Sequence, residues 1–292
     1  MNRSKLEALL AINIAAVVFG TTALYGKMDV AAVWIVAMRG LFSLPALALF
    51  AFARGELAVP PRTILKPLCI SGLLLTLHWV SFFVAVQLAG VAVATVTFAA
   101  YPLFTLLLQV INRTRALRLL ELGAATCIVL AVAMITNMPG GGNILFGALS
   151  GLASAALFAF FGISGQKASH ACPTTVISII QNGTVFCVLF PFLFFASPAP
   201  TQPQQWFWLF LLGLVATALM HQLYLFSLKR LSATVCSGFV ALEPVYAIVL
   251  AGYLFGDRIT PLVGVSAALI VAASLIFLLH DRHSAMKGAG QT

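Results

Sequence analysis

The sequence predicts an all-α integral membrane protein of ten transmembrane helices, built as two inverted five-helix repeats around a central cavity. Composition is the first observation behind this prediction: the 292 residues are 62% hydrophobic and 8% charged, with a mean hydropathy of +1.07. These values leave too little polar surface to cover a soluble globule of this length. The second observation is a series of ten apolar segments, and the third is a match between the two halves of the chain.

Ten segments of the chain are long enough to cross a bilayer, which requires about 20 predominantly apolar residues in a helix. In order, they are 6–25, 30–53, 64–88, 92–111, 119–135, 144–166, 174–195, 206–228, 233–255 and 261–280. The first segment follows Arg3 and Lys5 and therefore also resembles a secretory signal peptide. We expect it to remain as an uncleaved helix, because the second half of the chain contains its counterpart.

The basic residues predict the orientation of these segments. Lys and Arg accumulate in cytoplasmic loops, and of the sixteen basic residues thirteen fall on one side of the predicted membrane. Lys27 and Arg258 fall on the other side, and Arg39 lies within the second segment. Both termini are therefore expected to be cytoplasmic. The thirteen are Arg3, Lys5, Arg54, Arg62, Lys66, Arg113, Arg115, Arg118, Lys167, Lys229, Arg230, Arg282 and Lys287.

The two halves of the chain match each other at offsets of 141 to 143 residues. Because each half holds an odd number of segments, the second copy enters the membrane from the opposite side, the arrangement used for alternating access. We expect a first repeat at 1–137, an outer linker at 138–143, a second repeat at 144–283 and a cytoplasmic tail at 284–292. The matched pairs are Phe19 with Phe161, Gly20 with Gly162, His78 with His221, Phe83 with Phe226, Pro102 with Pro244 and Gly123 with Gly264.

Glu243 is the carboxylate that the sequence places deepest in an apolar segment. An ionised side chain at the bilayer midplane costs roughly 3 kcal/mol or more, so such a residue usually faces a cavity, a partner or a pathway. Arg39 falls at similar depth, and the two charges could bind the ammonium and the carboxylate of a substrate. They could equally form a buried ion pair that fixes helix packing. Glu243 could also carry a proton, although its counterpart in the first half is Tyr101.

Further candidates for substrate binding are polar or aromatic side chains within the segments. His78 and His221 occupy equivalent positions, and Gln181 is the counterpart of Arg39. A buried histidine can instead be bonded to a neighbouring helix, and aromatic residues can simply pack. Trp79, Tyr101, Tyr224 and Tyr246 are the aromatic candidates, because each carries a polar atom away from the membrane interface.

Pro102 and Pro244 fall in the middle of the fourth and ninth segments. A proline within a helix removes a backbone hydrogen bond and leaves a carbonyl free. Symmetric kinks at these positions would suit a gate, whereas a static bend needed for packing is the alternative.

These features together resemble a known family, the EamA-type transporters of the drug/metabolite transporter superfamily. The resemblance covers 6–280 and is carried by Phe19-Gly20-Thr21, Arg39, Tyr101-Pro102, Leu242-Glu243-Pro244 and Gly256-Asp257. Within that family the chain is most similar to YddG-like exporters of aromatic and other neutral amino acids. The resemblance implies a multi-pass carrier in the bacterial inner (plasma) membrane, with the first four helices of each half around a central cavity.

Other function classes fit the sequence less well. We expect no enzymatic activity, no cofactor and no metal site, because the seven acidic residues form no paired-aspartate, zinc or nucleotide-binding pattern. A passive channel would be expected to carry repeated rings of charged residues, and the sequence shows no such pattern, which favours a carrier. Export of drugs or other metabolites, with or without proton coupling, remains the alternative carrier function. A site for phosphorylated substrates would be expected to contain several cations deep in the membrane, whereas Arg39 is the deep cation of this sequence.

The expected partners are a small-molecule substrate and the lipid bilayer, with the protein a monomer or homodimer.

Overall fold

The computed structural model describes residues 3–114, 119–136, 142–169, 172–257 and 259–289. Within these ranges the protein is entirely helical and contains no strand, which confirms the predicted all-α class. The helices are α1 (Arg3–Thr22), α2 (Ala32–Ala53), α3 (Arg62–Phe98), α4 (Tyr101–Ile111), α5 (Leu119–Thr136), α6 (Gly142–Ser169), α7 (Thr174–Leu189), α8 (Pro203–Leu211), α9 (Met220–Leu228), α10 (Ala233–Val240), α11 (Glu243–Phe255) and α12 (Pro261–Ala289).

Short helices of other types extend this series. A 3₁₀ helix follows α1 at Ala23–Lys27, and another follows α7 at Phe190–Phe194. A π-helix at Leu212–Leu219, called the π segment below, joins α8 to α9 without interruption. Residues 137–141 and Arg258 lie outside the described residues, so most of the predicted linker at 138–143 does too, and the repeat boundaries stay a prediction.

Eight helical stretches in the described part of the chain are long and apolar enough to cross a membrane, and Tyr101–Ile111 and Pro261–Ala273 are shorter apolar helices. Every apolar segment predicted from the sequence overlaps one of these helices. Gly90, with a non-helical φ of 82°, divides α3 into two helices, and this kink falls between the third and fourth predicted segments. Only glycine adopts such an angle readily.

The fourth and ninth segments are each broken in two, at equivalent positions. The break after α3 comes at 99–100 and that after α10 at 241–242, directly before α4 and α11. Pro102 and Pro244 therefore occupy the first turn of a new helix. The backbone N–H that proline lacks would have no partner within the helix at this position, so no hydrogen bond is lost. The sequence had placed them at kinks within continuous helices. Whether the breaks act as a gate stays a prediction.

The helices pack in pairs that bring the two halves of the chain together. α3 runs along α6 and α7, α2 along α7 and the π segment, α5 along α12, and α1 along α9 and α11.

Gly20 permits the close approach of α1 to α11: a Cβ atom at this position would lie 2.7 Å from the Tyr246 Cβ and 3.2 Å from the Glu243 carbonyl oxygen. Lys27, at the end of the same predicted span, pairs with Asp257 just beyond α11.

Candidate substrate cavity

A cavity of about 40 Å³ lies among the helices and receives side chains from both halves of the chain. Charged, polar and aromatic groups share its lining, which is the environment expected of a ligand site. A volume of this size holds a few water molecules, because one water needs roughly 10–15 Å³ on the same measure. Six of the residues predicted from the sequence line it: Arg39, His78, Trp79, His221, Tyr224 and Glu243.

Arg39 is held on α2 by contacts with two other helical elements. The side chain is 2% exposed, and its Nε donates a hydrogen bond of 3.1 Å to Thr217 Oγ1 in the π segment. Its guanidinium carbon lies 3.7 Å from the centre of the Trp79 ring, a cation–π contact with α3. The terminal nitrogens make no hydrogen bond or ion pair within the described residues. They are the donors that remain for a ligand.

Glu243 is the first residue of α11 and is 4% exposed. The amino-terminal end of a helix carries a partial positive charge, which favours a carboxylate in the first turn. In the part of the chain that the structure describes, the Glu243 carboxylate has no ion pair within 4 Å, and Arg39 is bonded to Thr217 instead. The buried Arg39–Glu243 pair considered from the sequence is therefore not formed in this structure.

Hydrogen bonds to Ser154 define which nitrogen of the His78 ring carries the proton. Its Nδ1 lies 2.8 Å from Ser154 Oγ and 3.1 Å from the Ser154 carbonyl oxygen on α6. Ser154 Oγ donates in turn to the His78 carbonyl oxygen at 3.0 Å. Because both Ser154 oxygens then act as acceptors toward the ring, Nδ1 carries the proton. Nε2 of a neutral His78 is left as an acceptor.

His221, the counterpart of His78, has the opposite arrangement. Its Nδ1 lies 3.4 Å from Asn182 Nδ2, and that amide nitrogen also donates to the Ser178 carbonyl oxygen at 2.9 Å. The amide is thus the donor, and His221 Nδ1 accepts. In this tautomer Nε2 carries the proton, and it has no partner among the described residues. The two histidines therefore offer an acceptor and a donor.

An aromatic wall, centred on Phe158, forms one side of the cavity. The Phe158 ring lies 4.5 Å from His78, 5.4 Å from Phe161 and 5.4 Å from Tyr224, measured between ring centres. Phe98 adds a further ring at 5.5 Å. Rings at these separations provide an apolar surface of fixed shape. None of the three phenylalanines was a candidate from the sequence: Phe161 was noted only as the repeat counterpart of Phe19, and the other two are not distinguished among twenty-three.

Three predicted substrate-binding residues lie outside the lining of this cavity. Tyr101 is fully buried behind the wall and stacks on Phe98 with ring centres 5.8 Å apart. Gln181 donates to Ser71 Oγ at 2.8 Å, and Tyr246 packs on α11 opposite Gly20. Their assignment to substrate binding stays a prediction. Among the residues that the structure describes, no cluster of three or more His, Cys, Asp or Glu could hold a metal ion.

A bundle of apolar helices around a small charged cavity is the architecture of a membrane transporter. The chain belongs to the EamA-like transporter family, whose sequence profile matches residues 6–137 and 145–279. The family resemblance predicted from the sequence is thereby confirmed. The protein is a multi-pass membrane transporter, and its family is a family of transporters rather than of enzymes.

Two relatives extend this comparison. The "Uncharacterized transporter YxxF" of Bacillus subtilis (strain 168) is 24% identical over 269 residues, which cover 88% of this chain and 85% of the relative. A crystal structure of another protein superimposes with a TM-score of 0.74 over 94% of this chain and 98% of that one, at 18% identity. At this identity the likeness concerns the fold alone.

Proposed function

We propose that this protein is an inner-membrane carrier that exports aromatic and other neutral amino acids by alternating access through the central cavity. One observation carries the proposal: Arg39 and Glu243 line one cavity and form no ion pair within 4 Å of each other, so both charges can be contacted by one ligand. Buried charges without partners are costly, and a zwitterionic ligand supplies a partner to both. Its carboxylate would bind the terminal nitrogens of Arg39, and its ammonium the carboxylate of Glu243.

The aromatic wall supports an apolar side chain on that ligand. Phe98, Phe158, Phe161 and Tyr224 present ring surface to the same cavity into which the charges project. Pockets of this composition bind the apolar part of a ligand by contact area and use a few polar groups for orientation. A phosphorylated substrate is bound best by several cationic side chains, so a cavity with a single deep cation is a poor match for it.

Alternating access is supported by the size of the cavity and by the relationship between the halves. A cavity of about 40 Å³ is smaller than the roughly 300 Å³ at the lower end of ligand sites. The helices must therefore separate before an amino acid can enter. The breaks before Pro102 and Pro244 occur at equivalent places and supply two points at which the helices could bend. We accordingly propose ten spans as two inverted repeats, with both termini cytoplasmic.

The experiment is counterflow in proteoliposomes with a panel of labelled amino acids. Saturable counterflow of phenylalanine, tryptophan or leucine is expected. Phenethylamine, which lacks the carboxylate, and 3-phenylpropionate, which lacks the ammonium, should compete at least about tenfold less well, because each leaves one buried charge unpaired. Equal competition by either analogue, or the absence of counterflow for every amino acid, would contradict the proposal.

A second candidate is export of cationic drugs or other metabolites, coupled to protons. The observation that favours it is the Glu243 carboxylate, which has no bonded partner among the described residues and so is free to exchange a proton for a cation. An imposed proton gradient would then accelerate efflux of a labelled organic cation. Glu243→Gln should remove that acceleration. Efflux that ignores the gradient in both proteins would reject this candidate.

A further inference from the structure

The π segment is a local departure from the α-helix that adjoins the cavity. It spans Leu212–Leu219 and lies between α8 and α9 in one continuous helical stretch. A π-helical turn contains more residues than an α-helical turn and is frequently found at functional sites. The offset between the halves rises from 142 at Arg39 and Gln181 to 143 at His78 and His221, and the π segment lies within that interval.

Thr217 is the polar side chain that this segment directs to Arg39. It is fully buried, and its Oγ1 lies 2.9 Å from the carbonyl oxygen of Leu212, five residues earlier. Because a carbonyl oxygen only accepts, the hydroxyl proton points to Leu212. The lone pairs of the same oxygen are left for the Nε–H of Arg39, at 3.1 Å. Arg39 can only donate, so Thr217 Oγ1 accepts from Arg39, and the bond to Leu212 within the π segment holds the hydroxyl in the orientation that leaves its lone pairs for Arg39.

The guanidinium of Arg39 is thus restrained on its face and on one edge. Trp79 covers the face at 3.7 Å, Phe83 lies at 5.9 Å, and Thr217 occupies Nε. A planar guanidinium restrained in this way directs its two terminal nitrogens in one direction, the geometry that a carboxylate can meet with two parallel hydrogen bonds.

We propose that Thr217 is a positioning residue that orients Arg39 for the carboxylate of the substrate. The inference rests on the proposed function, in which Arg39 is the carboxylate-binding group. A related contact joins the equivalent elements of the other half: Gln181 on α7 donates to Ser71 Oγ on α3 at 2.8 Å. That contact contains no cation. The carrier accordingly has a single carboxylate subsite, on the side of Arg39 and Thr217.

The test compares Thr217→Val, which removes the oxygen at nearly constant volume, with Thr217→Ser, which retains it. Thr76→Val is the matched control, because Thr76 is also buried in a span that lines the cavity but bonds only to the Gly72 carbonyl oxygen of its own helix. Kinetic constants for counterflow are measured with phenylalanine and with phenylalaninamide, which keeps the ammonium and lacks the carboxylate.

Thr217→Val should raise the KM for phenylalanine about tenfold at nearly unchanged Vmax, since a hydrogen bond to a charged group is lost. The KM for phenylalaninamide should stay within about twofold of wild type, because an uncharged amide gains little from an oriented guanidinium. Thr217→Ser should restore the wild-type KM for phenylalanine, and Thr76→Val should leave both constants unchanged. If Thr217→Val does not elute as a monodisperse protein, Thr217→Ala removes the same oxygen.

Three results would overturn the inference. Thr217→Val could leave the KM for phenylalanine unchanged, it could raise both constants equally, or Thr217→Ser could fail to restore transport. Any of these, with wild-type counterflow of phenylalanine intact, rejects the role of Thr217 alone. Absence of counterflow of every amino acid by the wild-type protein rejects the proposed function, and this inference with it.

Discussion

Arg39 lies with its guanidinium carbon 3.7 Å from the centre of the Trp79 ring, so a cation of α2 is stacked on an indole of α3. A buried contact of this kind is worth roughly 0.5–2 kcal/mol. Arg39 is itself 2% exposed, so the stacked cation is buried within the protein. The first prediction concerns this contact.

Trp79→Leu should raise the KM for phenylalanine about five- to tenfold, because the loss of the ring face corresponds to roughly 1 kcal/mol or more. Trp79→Phe keeps an aromatic ring, although a smaller one, so its loss of binding free energy should be about half of that in Trp79→Leu. Trp206→Leu is the control, since Trp206 contacts Trp34 and Phe42 rather than the cavity. An unchanged KM in Trp79→Leu would show that the indole does not orient Arg39.

The second prediction concerns the two buried charges. Arg39→Gln and Glu243→Gln should each reduce phenylalanine counterflow at least tenfold, because each leaves one end of the zwitterion unpaired at a buried site, at a cost of roughly 1.5–3 kcal/mol. Glu7→Gln, on an exposed turn where Glu7 pairs with Arg3, is the control. Unchanged transport in the double variant Arg39→Gln/Glu243→Gln would remove both residues from the mechanism.

The third prediction concerns the contact of α1 with α11. Gly20→Ala should lower the melting temperature in detergent, because a Cβ atom placed 2.7 Å from the Tyr246 Cβ forces the helices apart, and overpacking typically costs roughly 1–3 kcal/mol. Gly165→Ala is the matched control, since its Cβ atom would meet its nearest neighbour at an ordinary 3.6 Å. Equal melting temperatures for the two variants would contradict the close approach at Gly20.

The fourth prediction concerns the ion pair between Lys27 and Asp257, which joins the ends of two spans. Both side chains are partly exposed, so Lys27→Gln should lower the free energy of unfolding by at most about 1 kcal/mol. The same change should make the Vmax of counterflow less sensitive to ionic strength, because salt screens exposed pairs. An identical salt dependence in wild type and variant would indicate that opening of the carrier does not require the pair to break.

Much of the fold could be predicted from the sequence, because a bilayer imposes a simple requirement on it. Every apolar segment proved helical, since backbone groups in lipid must bond within their own segment. The boundary between the third and fourth segments, predicted between residues 88 and 92, coincides with the non-helical Gly90 in α3. The breaks within the fourth and ninth segments were not predicted, because a proline in an apolar segment fits a kinked continuous helix as well as the start of a new helix.

The charged part of the site was also predictable, because Arg39 and Glu243 are costly in an apolar segment and so are conspicuous. The residues that orient them were not. Thr217 is a small, neutral residue of a kind that ordinarily bonds to its own helix, as Thr76 does. Thr217 contacts Arg39 from within the π segment, and the apolar residues around Thr217 contain no sign of that departure from the α-helix.

The inequality between Arg39 and its counterpart Gln181 has a consequence for the affinity of the proposed carrier at each face of the membrane. Two halves that were chemically identical would present the same affinity to each compartment in turn. Here only one half contributes a guanidinium, so exchanging the conformations of the halves does not reproduce the same set of contacts around the solute. Under the proposed alternating access, the KM for the solute is therefore expected to differ between the two faces of the membrane, while the solute gradient still sets the direction of net transport.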